Sequence, residues 1–308
     1  DSNVGAVYVY YGGSSIDESF DLLINAPASS VRFGAALASG DIDNDGYDDL
    51  IVGDPAYSSS EGRVYLYWGS SSFDGTVDVT FSAPDSSGKF GFAIATGDLN
   101  AATDSYDDIV ITAPAYTSND GRAYVYFGNT SGNMDTSNDG VLDPLSSGEA
   151  GRFGHAVAVG QFNGTGTDED VFIGEPWYDI GSITDAGRSY IFIGGAGSSF
   201  DETADNTSQP NTDYEDGRFG YSIAVADYDN DGDDDVWIGA PYSDWPGFPM
   251  RTNCGFIYRV NAGGDDADPD WSAYYDADNV YLGISVAGGR HRGGRNGGRD
   301  RRGQSEQQ

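Results

Sequence analysis

The chain contains few cysteines, histidines and positive charges. Cys254 is its one cysteine, so an intrachain disulfide is impossible and a buried structural thiol is expected. Only 15 lysine and arginine residues accompany 50 acidic residues, which gives a formal net charge of −35. Such a surface repels itself and requires counterions. The composition therefore favours bound calcium or salt-rich surroundings, and it is typical of a halophilic-type acidic surface.

The residue groups that most enzymes use are also scarce. His155 is the only histidine before residue 289, and it occupies the variable third position of a Phe-Gly-x-Ala motif. No serine–histidine pairing, second cysteine or phosphate-binding loop accompanies it. No apolar run approaches about 18 residues, so no membrane span is predicted. We therefore expect a protein that is not an enzyme.

What the chain does contain is a long repeat. A Phe-Gly dipeptide begins a short strand, an acidic loop follows, and a second apolar strand ends at a proline. The phenylalanines are 57, 63 and 66 residues apart. A repeat of this length determines the architecture. The four units are Phe33–Pro55, Phe90–Pro114, Phe153–Pro176 and Phe219–Pro241.

Each unit continues with two further candidate strands. Strict alternation of β-branched and aromatic residues indicates a third strand in every unit. These third strands begin at Gly62, Gly121, Gly187 and Gly255. A weaker outer strand is predicted at Leu22–Ala26, Val77–Ala83 and Val141–Leu145. Four strands per unit without helical periodicity predict an all-β fold, a β-propeller of four-stranded antiparallel blades.

The order of these motifs resembles the FG-GAP repeat, the blade of the integrin α-chain propeller. Phe-Gly, an acidic D-x-D-x-D-G-x-x-D loop and a closing proline recur over residues 1–288. The resemblance implies a calcium-binding propeller that is secreted or displayed on a cell surface. It does not identify the ligand, because one fold serves many functions.

The number of blades is left open between two interpretations. Residues 1–26 contain only the outer half of a blade, and a further inner strand begins at Tyr281, with Leu282 in the place of the phenylalanine. These parts close a ring of five blades, or the chain is a fragment of a larger ring. Residues 289–308 are rich in arginine and glycine and are predicted to be disordered.

Two acidic loops have the spacing of a cation site. Carboxylates alternate along each loop, a glycine at the sixth position permits a sharp turn, and a last carboxylate occupies the ninth position. Calcium binds six to eight oxygen ligands, and four carboxylates without a cation would repel one another. The predicted ligands are Asp41, Asp43, Asp45, Tyr47 and Asp49 in the first loop, and Asp227, Asp229, Asp231, Asp233 and Asp235 in the fourth.

The second and third loops depart from this pattern. The second is two residues longer and has no turn glycine, while Gln161 and Thr165 replace two carboxylates of the third. We predict calcium in the second loop and leave its presence in the third open. The candidate ligands are Asp98, Asn100, Asp104 and Asp108 in the second loop, and Asn163, Asp168 and Asp170 in the third.

A similar spacing between Asp135 and Asp143 lies outside the repeat's loop position. There, an ordinary turn at Asn138-Asp139-Gly140 is favoured over a cation site.

The basic residues recur at fixed positions in the repeat, which favours structural contacts over a unique ligand site. They are Arg32, Lys89, Arg152 and Arg218 before Phe-Gly, and Arg63, Arg122 and Arg188 at the third strand. Aromatic residues follow each closing proline and should cluster on one rim of the ring. This group comprises Tyr57, Tyr116, Trp177, Tyr178, Tyr242 and Trp245. Packing within the loops is the favoured role, and binding of a protein or glycan is the alternative.

The function that fits best is a calcium-binding, non-catalytic adhesion module outside the cell or on its surface. A structural segment of a surface layer or filament is the first alternative. A propeller-based, glycan-active enzyme is the second. The arginine-rich tail is typical of nucleic-acid binding, but its abrupt basic composition favours a spurious terminus instead.

Overall fold

The structure is a computed structural model that describes most of the repeat region. It describes residues 5–12, 19–27, 32–85, 88–101, 103–162, 168–195, 201–210, 216–228, 232–244, 252–261, 269, 271–274, 277 and 279–287. The arginine-rich segment 289–308, predicted to be disordered, lies outside these residues, as does Trp245.

The described strands form one two-stranded sheet and four four-stranded sheets, all antiparallel. The two-stranded sheet contains β1 (Ala6–Val9) and β2 (Leu22–Asn25). The first full sheet contains β3 (Ala36–Gly40), β4 (Asp49–Asp54), β5 (Arg63–Tyr67) and β6 (Val79–Ser82). The second contains β7 (Ile94–Gly97), β8 (Asp108–Thr112), β9 (Ala123–Tyr126) and β10 (Gly140–Leu142). The third contains β11 (Ala156–Gly160), β12 (Asp170–Glu175), β13 (Arg188–Phe192) and β14 (Asn206–Ser208). The fourth contains β15 (Ser222–Ala226), β16 (Asp235–Ala240), β17 (Phe256–Val260) and β18 (Trp271–Tyr274).

Two short helical turns interrupt the β structure. They are α1 (Tyr57–Ser60) and α2 (Tyr116–Asn119), which follow β4 and β8. The φ angles of Ser58 and Ser59 are 50° and 62°, so α1 is a left-handed turn of a few residues. In the described part of the chain, no helix is long and apolar enough to cross a membrane. The predicted all-β fold is confirmed.

The four full sheets are blades arranged in chain order. Each innermost strand packs against the next, from β3 to β7, β11 and β15. The middle strands are buried on both faces because a neighbouring blade covers each face. In β5, for example, Val64 and Leu66 pack toward the second blade, and Tyr65 and Tyr67 pack toward the β1–β2 sheet. This arrangement confirms the predicted propeller blades, with the Phe-Gly strands innermost.

The Phe-Gly dipeptide joins neighbouring blades. Phe90 forms an isolated parallel bridge with Gly62 of the preceding blade. The Phe90 ring also packs edge-on against Tyr124 in its own blade, with 5.6 Å between ring centroids. Phe153 and Phe219 repeat both contacts. One phenylalanine per repeat therefore packs its ring inside its own blade and joins its backbone to the preceding blade.

The β1–β2 sheet flanks the four complete blades at one end, whereas at the other end the inner strand predicted from Tyr281 is not formed: residues 281–287 make one bridge and a turn. Val7 and Ile24 of the β1–β2 sheet pack on Val52 and Tyr65 of the first blade. At the other end, Leu282 bridges Gly255 as Phe90 bridges Gly62. The prediction that Leu282 takes the place of the phenylalanine is therefore confirmed.

Candidate metal centre

The first acidic loop brings three carboxylates together at the end of the innermost strand. It connects β3 to β4, and oxygen atoms of Asp41, Asp43 and Asp49 lie within 4.8 Å of one another. Positive φ angles at Asn44 and Gly46 allow the chain to reverse in these few residues. Asp43 is 8% exposed and Asp49 is 1% exposed. Two carboxylates of the cluster are therefore buried at the base of the loop, and that of Asp41 is half-buried.

The loop backbone holds these carboxylates in place. Asp41 accepts hydrogen bonds from the amides of Asp45 and Gly46, both at 2.9 Å. Asp45 itself is exposed, and its Oδ1 accepts the amide of Tyr47 at 2.9 Å. The structure thus gathers three of the four predicted carboxylates and leaves that of Asp45 at the surface.

Asp49 links the loop to the outer part of its blade. Its two carboxylate oxygens accept the amides of Ile42 at 2.9 Å and Gly69 at 2.6 Å. Burial raises the pKa of Asp49 to about 7, and the negative charges of Asp43 and Asp41 add to this rise. A bound cation would act in the opposite direction and favour the charged form.

The residues of this loop fit a hard cation such as calcium. Asp43 Oδ1 is buried and, among the described residues, has no hydrogen-bond partner. Leaving a buried carboxylate oxygen unsatisfied is costly, and a cation is the partner that satisfies it. The ligand set contains only oxygen, which suits calcium and not zinc.

The second loop repeats the pattern over a longer span. Asp108 accepts the amides of Leu99 and Gly128, both at 2.9 Å, as Asp49 does in the first loop. Burial raises the pKa of Asp108 to about 8 and that of Asp98 to about 6. Asp98 Oδ1 and Asn100 Oδ1 are buried and have no partner within the described part of the chain. They are candidate cation ligands of the same kind as Asp43 Oδ1, although only the first loop gathers three carboxylates within 4.8 Å of one another among the described residues.

Asp104 of the second loop is held by its own backbone. Its Oδ1 accepts the amide of Tyr106 at 3.2 Å. It thus occupies the role that Asp45 has in the first loop.

The third and fourth loops are described only in part. Asn163, Asp229 and Asp231 lie outside the described residues, so these predicted ligands have no structural outcome. Asp170 accepts the amides of Phe162 and Gly194 at 3.0 and 2.9 Å. Asp168, two residues before it, is buried.

The fourth loop shares one contact with the others. Asp235 accepts the amide of Tyr228 at 3.1 Å, and Asp227 Oδ1 is buried without a partner in the ranges given above. Asp233 lies at the turn two residues before Asp235. The last carboxylate of each loop, Asp49, Asp108, Asp170 or Asp235, therefore anchors that loop to its blade.

A second set of acidic residues, missed by the sequence interpretation, joins the loops to the next blade. The amide of Asp41 donates to Asp107 Oδ2 at 2.9 Å, and the amide of Asp107 donates to the Asp41 carbonyl at 3.1 Å. The same exchange joins Asp98 to Glu169 and Gln161 to Asp234. We call Asp107, Glu169 and Asp234 the latch acids. A cation at Asp41 would therefore affect the contact between blades as well as the loop.

A third acidic position closes the outer hairpin of the first three full blades, at Asp78, Asp139 and Asp205. Asp78 accepts the amide of Trp68 at 2.8 Å, and Asp139 accepts that of Phe127 at 2.8 Å. Asp143 is held by Arg122 at 2.6 Å. Asp139 and Asp143 thus have structural partners, and Asp139 leads directly into β10 instead of forming the predicted turn.

The loop aromatics at the opposite rim mainly contact the repeat-fixed arginines. The guanidinium carbons of Arg63 and Arg188 lie 3.8 and 3.5 Å from the ring centroids of Tyr57 and Tyr178. Arg122 stacks on Tyr116 at 4.2 Å. These cation–π contacts agree with the favoured packing role, and they explain why the arginines recur.

These geometries define a set of four-stranded propeller blades in chain order. A family model described as the FG-GAP repeat matches residues 33–67, 90–126 and 219–258, which are the first, second and fourth repeats. The resemblance predicted from the sequence is confirmed.

The curated relatives include two kinds of protein. The chain is 27% identical over 227 residues to phosphatidylinositol-glycan-specific phospholipase D of Rattus norvegicus, covering 69% of this chain and 26% of that protein. The Bos taurus protein of the same name is 30% identical over 165 residues, which cover 50% of this chain and 19% of that protein. Integrin alpha-8 of Gallus gallus is 36% identical over 110 residues, which cover 32% of this chain and 10% of that protein. The chain thus spans about a quarter or less of the length of these relatives.

Proposed function

We propose that this protein is a calcium-stabilised, non-catalytic binding module that works outside the cell or on its surface. The observation that carries the proposal is the buried cluster of Asp41, Asp43 and Asp49, with an unsatisfied oxygen on Asp43. Calcium would be held by these carboxylates and would supply charge neutralisation. The similarity to integrin alpha chains supports a role in adhesion. The rim opposite the acidic loops presents the surface for a protein or glycan partner.

The first prediction concerns calcium and Asp43. Calcium should raise the free energy of unfolding by about 2.7 kcal/mol per site at a hundredfold excess over Kd, because it binds only the folded state. Asp43→Ala removes one ligand of the first loop and should lose the share of this gain that belongs to that site. The measurement is the melting temperature as a function of calcium at fixed ionic strength.

A matched control separates the site from general charge effects. Asp135→Ala removes one exposed carboxylate that also accepts a backbone amide, from Ser137, in a turn outside the repeat loops. It should keep the full calcium-dependent shift. Equal shifts for both variants and for wild type, or no effect of a chelator, would show that the loops are solvated acidic turns.

The non-catalytic assignment has its own test, because two of the relatives described above carry the name of a phospholipase D. His155 supports the assignment: burial, followed by the charges of Arg152 and Arg218, lowers its pKa to about 4, and its Nδ1 lies 3.0 Å from the Tyr221 carbonyl. We expect no release of phosphatidylinositol-glycan-anchored protein by the calcium-loaded chain. Release that is lost in a His155→Ala variant would contradict the assignment.

A further inference from the structure

We propose that the end of the propeller opposite the acidic loops binds the carboxylate of an acidic saccharide, through Lys89, Arg152 and Arg218. These residues precede the Phe-Gly dipeptides of three successive blades. We call them the cationic rim. The inference rests on the proposed function as a binding module, and it identifies the chemical class of its ligand.

Two of these cations converge on one aromatic ring. The guanidinium carbon of Arg152 lies 4.2 Å from the ring centroid of Trp177, and that of Arg218 lies 5.0 Å from the same centroid. Arg218 also lies 4.3 Å from the centroid of Tyr242. Both arginines lower the pKa of His155, whose ring centroid is 5.0 Å from that of Trp177. Two neighbouring blades thus contribute positive charge to one small area.

This positive charge is incompletely neutralised, although acidic residues outnumber basic ones by more than three to one. Among the described residues, Arg218 has one carboxylate partner, Asp185, at 3.5 Å. Its Nε is buried and, in the described ranges, has no acceptor. Between described residues, neither Lys89 nor Arg152 has a carboxylate within 4.0 Å. An anionic ligand would supply the missing partner.

A small cavity separates Lys89 from Arg152. Its volume is about 20 Å³, and Phe92, Asn119 and His155 also line it. This volume admits one water-sized group, such as one end of a carboxylate, and excludes a whole sugar ring. The ligand's body must therefore lie outside the cavity. Arginine suits the headgroup because its planar guanidinium binds a carboxylate through two parallel hydrogen bonds.

The surrounding surface favours a saccharide over an acidic peptide. Phe92, Trp177 and Tyr221 are partly exposed, and their rings pack around His155 with centroid distances of 4.5 to 5.3 Å. The faces of these rings can contact the apolar face of a sugar. The nearby Asn119 amide and the cations of the rim can bind the sugar's oxygens. Peptide recognition instead uses strand edges or grooves for alternate side chains.

The backbone conformation of the cationic rim suggests a variant that separates ligand binding from stability. Lys89, Arg152 and Arg218 have φ angles of 59°, 57° and 56°, in the left-handed region that favours glycine. Tyr281, which holds the same position before Leu282, also has a φ angle of 56°, so the left-handed turn belongs to the repeat and not to the positive charge. Arg152→Gly relieves this strain while it removes the guanidinium. A residue with only a structural role would not separate binding from stability in this way.

The test uses the full chain with saturating calcium. A glucuronate-terminated disaccharide is titrated by calorimetry and by tryptophan fluorescence, with its methyl ester as the neutral match. We expect the acid to bind and the ester to bind at least about tenfold more weakly, as the loss of one charged hydrogen-bonded contact implies. Arg152→Gly and Lys89→Gln should each weaken binding about tenfold, and Arg152→Gly should not lower the melting temperature.

Arg259→Gln is the matched control. It removes one guanidinium that lies 4.6 Å from the Tyr228 ring, beside the fourth acidic loop and away from the cationic rim. It should bind the acid as wild type does. Equal binding of acid and ester, binding of a glutamate-rich peptide in place of the sugar, or no binding at all would each overturn the inference. If calcium still raises the melting temperature in those cases, the inference fails while the calcium-stabilised fold stands.

Discussion

Replacement of Gly121 by alanine is expected to lower the free energy of unfolding by at least about 4 kcal/mol, among the largest effects of a single substitution. Gly121 has a φ angle of 88° and bridges Phe153 of the next blade. An added Cβ would overlap the carbonyl oxygen of Phe153 and lie 2.7 Å from its nitrogen. The colliding atoms belong to the backbone, so the two blades must separate.

A control variant isolates the contact between blades from backbone strain. Gly132 has a φ angle of 85°, and an added Cβ would have no atom within 4 Å. Gly132→Ala therefore carries the left-handed strain alone, about 1 to 2 kcal/mol. Denaturant unfolding with calcium present measures both. If both variants lose the same free energy of unfolding, the close approach of the two blades at Gly121 makes no separate contribution to the loss.

The sequence predicted the blades because their signals are local. Alternation marked the third strands, and the Phe-Gly dipeptide marked the beginning of each innermost strand. Even the substitution of Leu282 for phenylalanine could be aligned from spacing, and its bridge to Gly255 confirms it. Weak outer strands such as Asn206–Ser208 were not predicted, because three polar residues carry no alternation and their pairing depends on β13.

The candidate site was predicted less completely, because a loop's ligands depend on which way each side chain points. Asp43 and Asp49 lie inward, while Asp45 lies at the surface although the spacing treats all three alike. The latch acids had a visible signal: an acidic residue directly precedes the last carboxylate of every loop, as Asp107 precedes Asp108. Their role depends on the neighbouring blade, and no single repeat contains that information.

The surface position of Tyr228 shows the same dependence on neighbours. Its counterparts Ile42, Leu99 and Phe162, each second in its loop, are buried against the following blade. Tyr228 is 63% exposed and contacts Trp237 and Arg259 instead. Equivalent positions in a repeat thus differ in burial according to the blade that follows them.

The second large effect concerns the buried ion pair of the third blade. Arg188 Nε donates to Glu175 Oε2 at 2.9 Å, and the Tyr190 hydroxyl donates to the same oxygen at 2.6 Å. The side chains of Arg188 and Glu175 are 7% and 1% exposed. Arg188→Met leaves Glu175 buried without its cation and should cost about 3 to 5 kcal/mol at neutral pH.

Arg122→Met in the second blade is the matched control. Arg122 pairs with Asp143, but their side chains are 22% and 49% exposed. Water therefore screens the attraction between the two charges, and its removal costs less stability. We expect a cost of about 1 kcal/mol or less from this pair. The double variant Arg188→Met/Glu175→Gln should recover most of the lost stability, because the amide is neutral and its oxygen still accepts from Tyr190.

The loss of stability in Arg188→Met should depend on pH in a definite direction. Burial raises the pKa of Glu175, whereas its contacts with Tyr190 and Arg188 lower it, so Arg188→Met should raise it further. A carboxyl group with a raised pKa in the folded state binds more protons there than in the unfolded chain, so its contribution to stability falls as pH rises through that window. The deficit of Arg188→Met relative to wild type should therefore shrink as pH falls from 8 toward the ordinary glutamate pKa of about 4.3. Denaturant unfolding of both proteins at each pH, with saturating calcium, measures the difference. A deficit that stays constant or grows on acidification would mean that Glu175 is not the group left uncompensated.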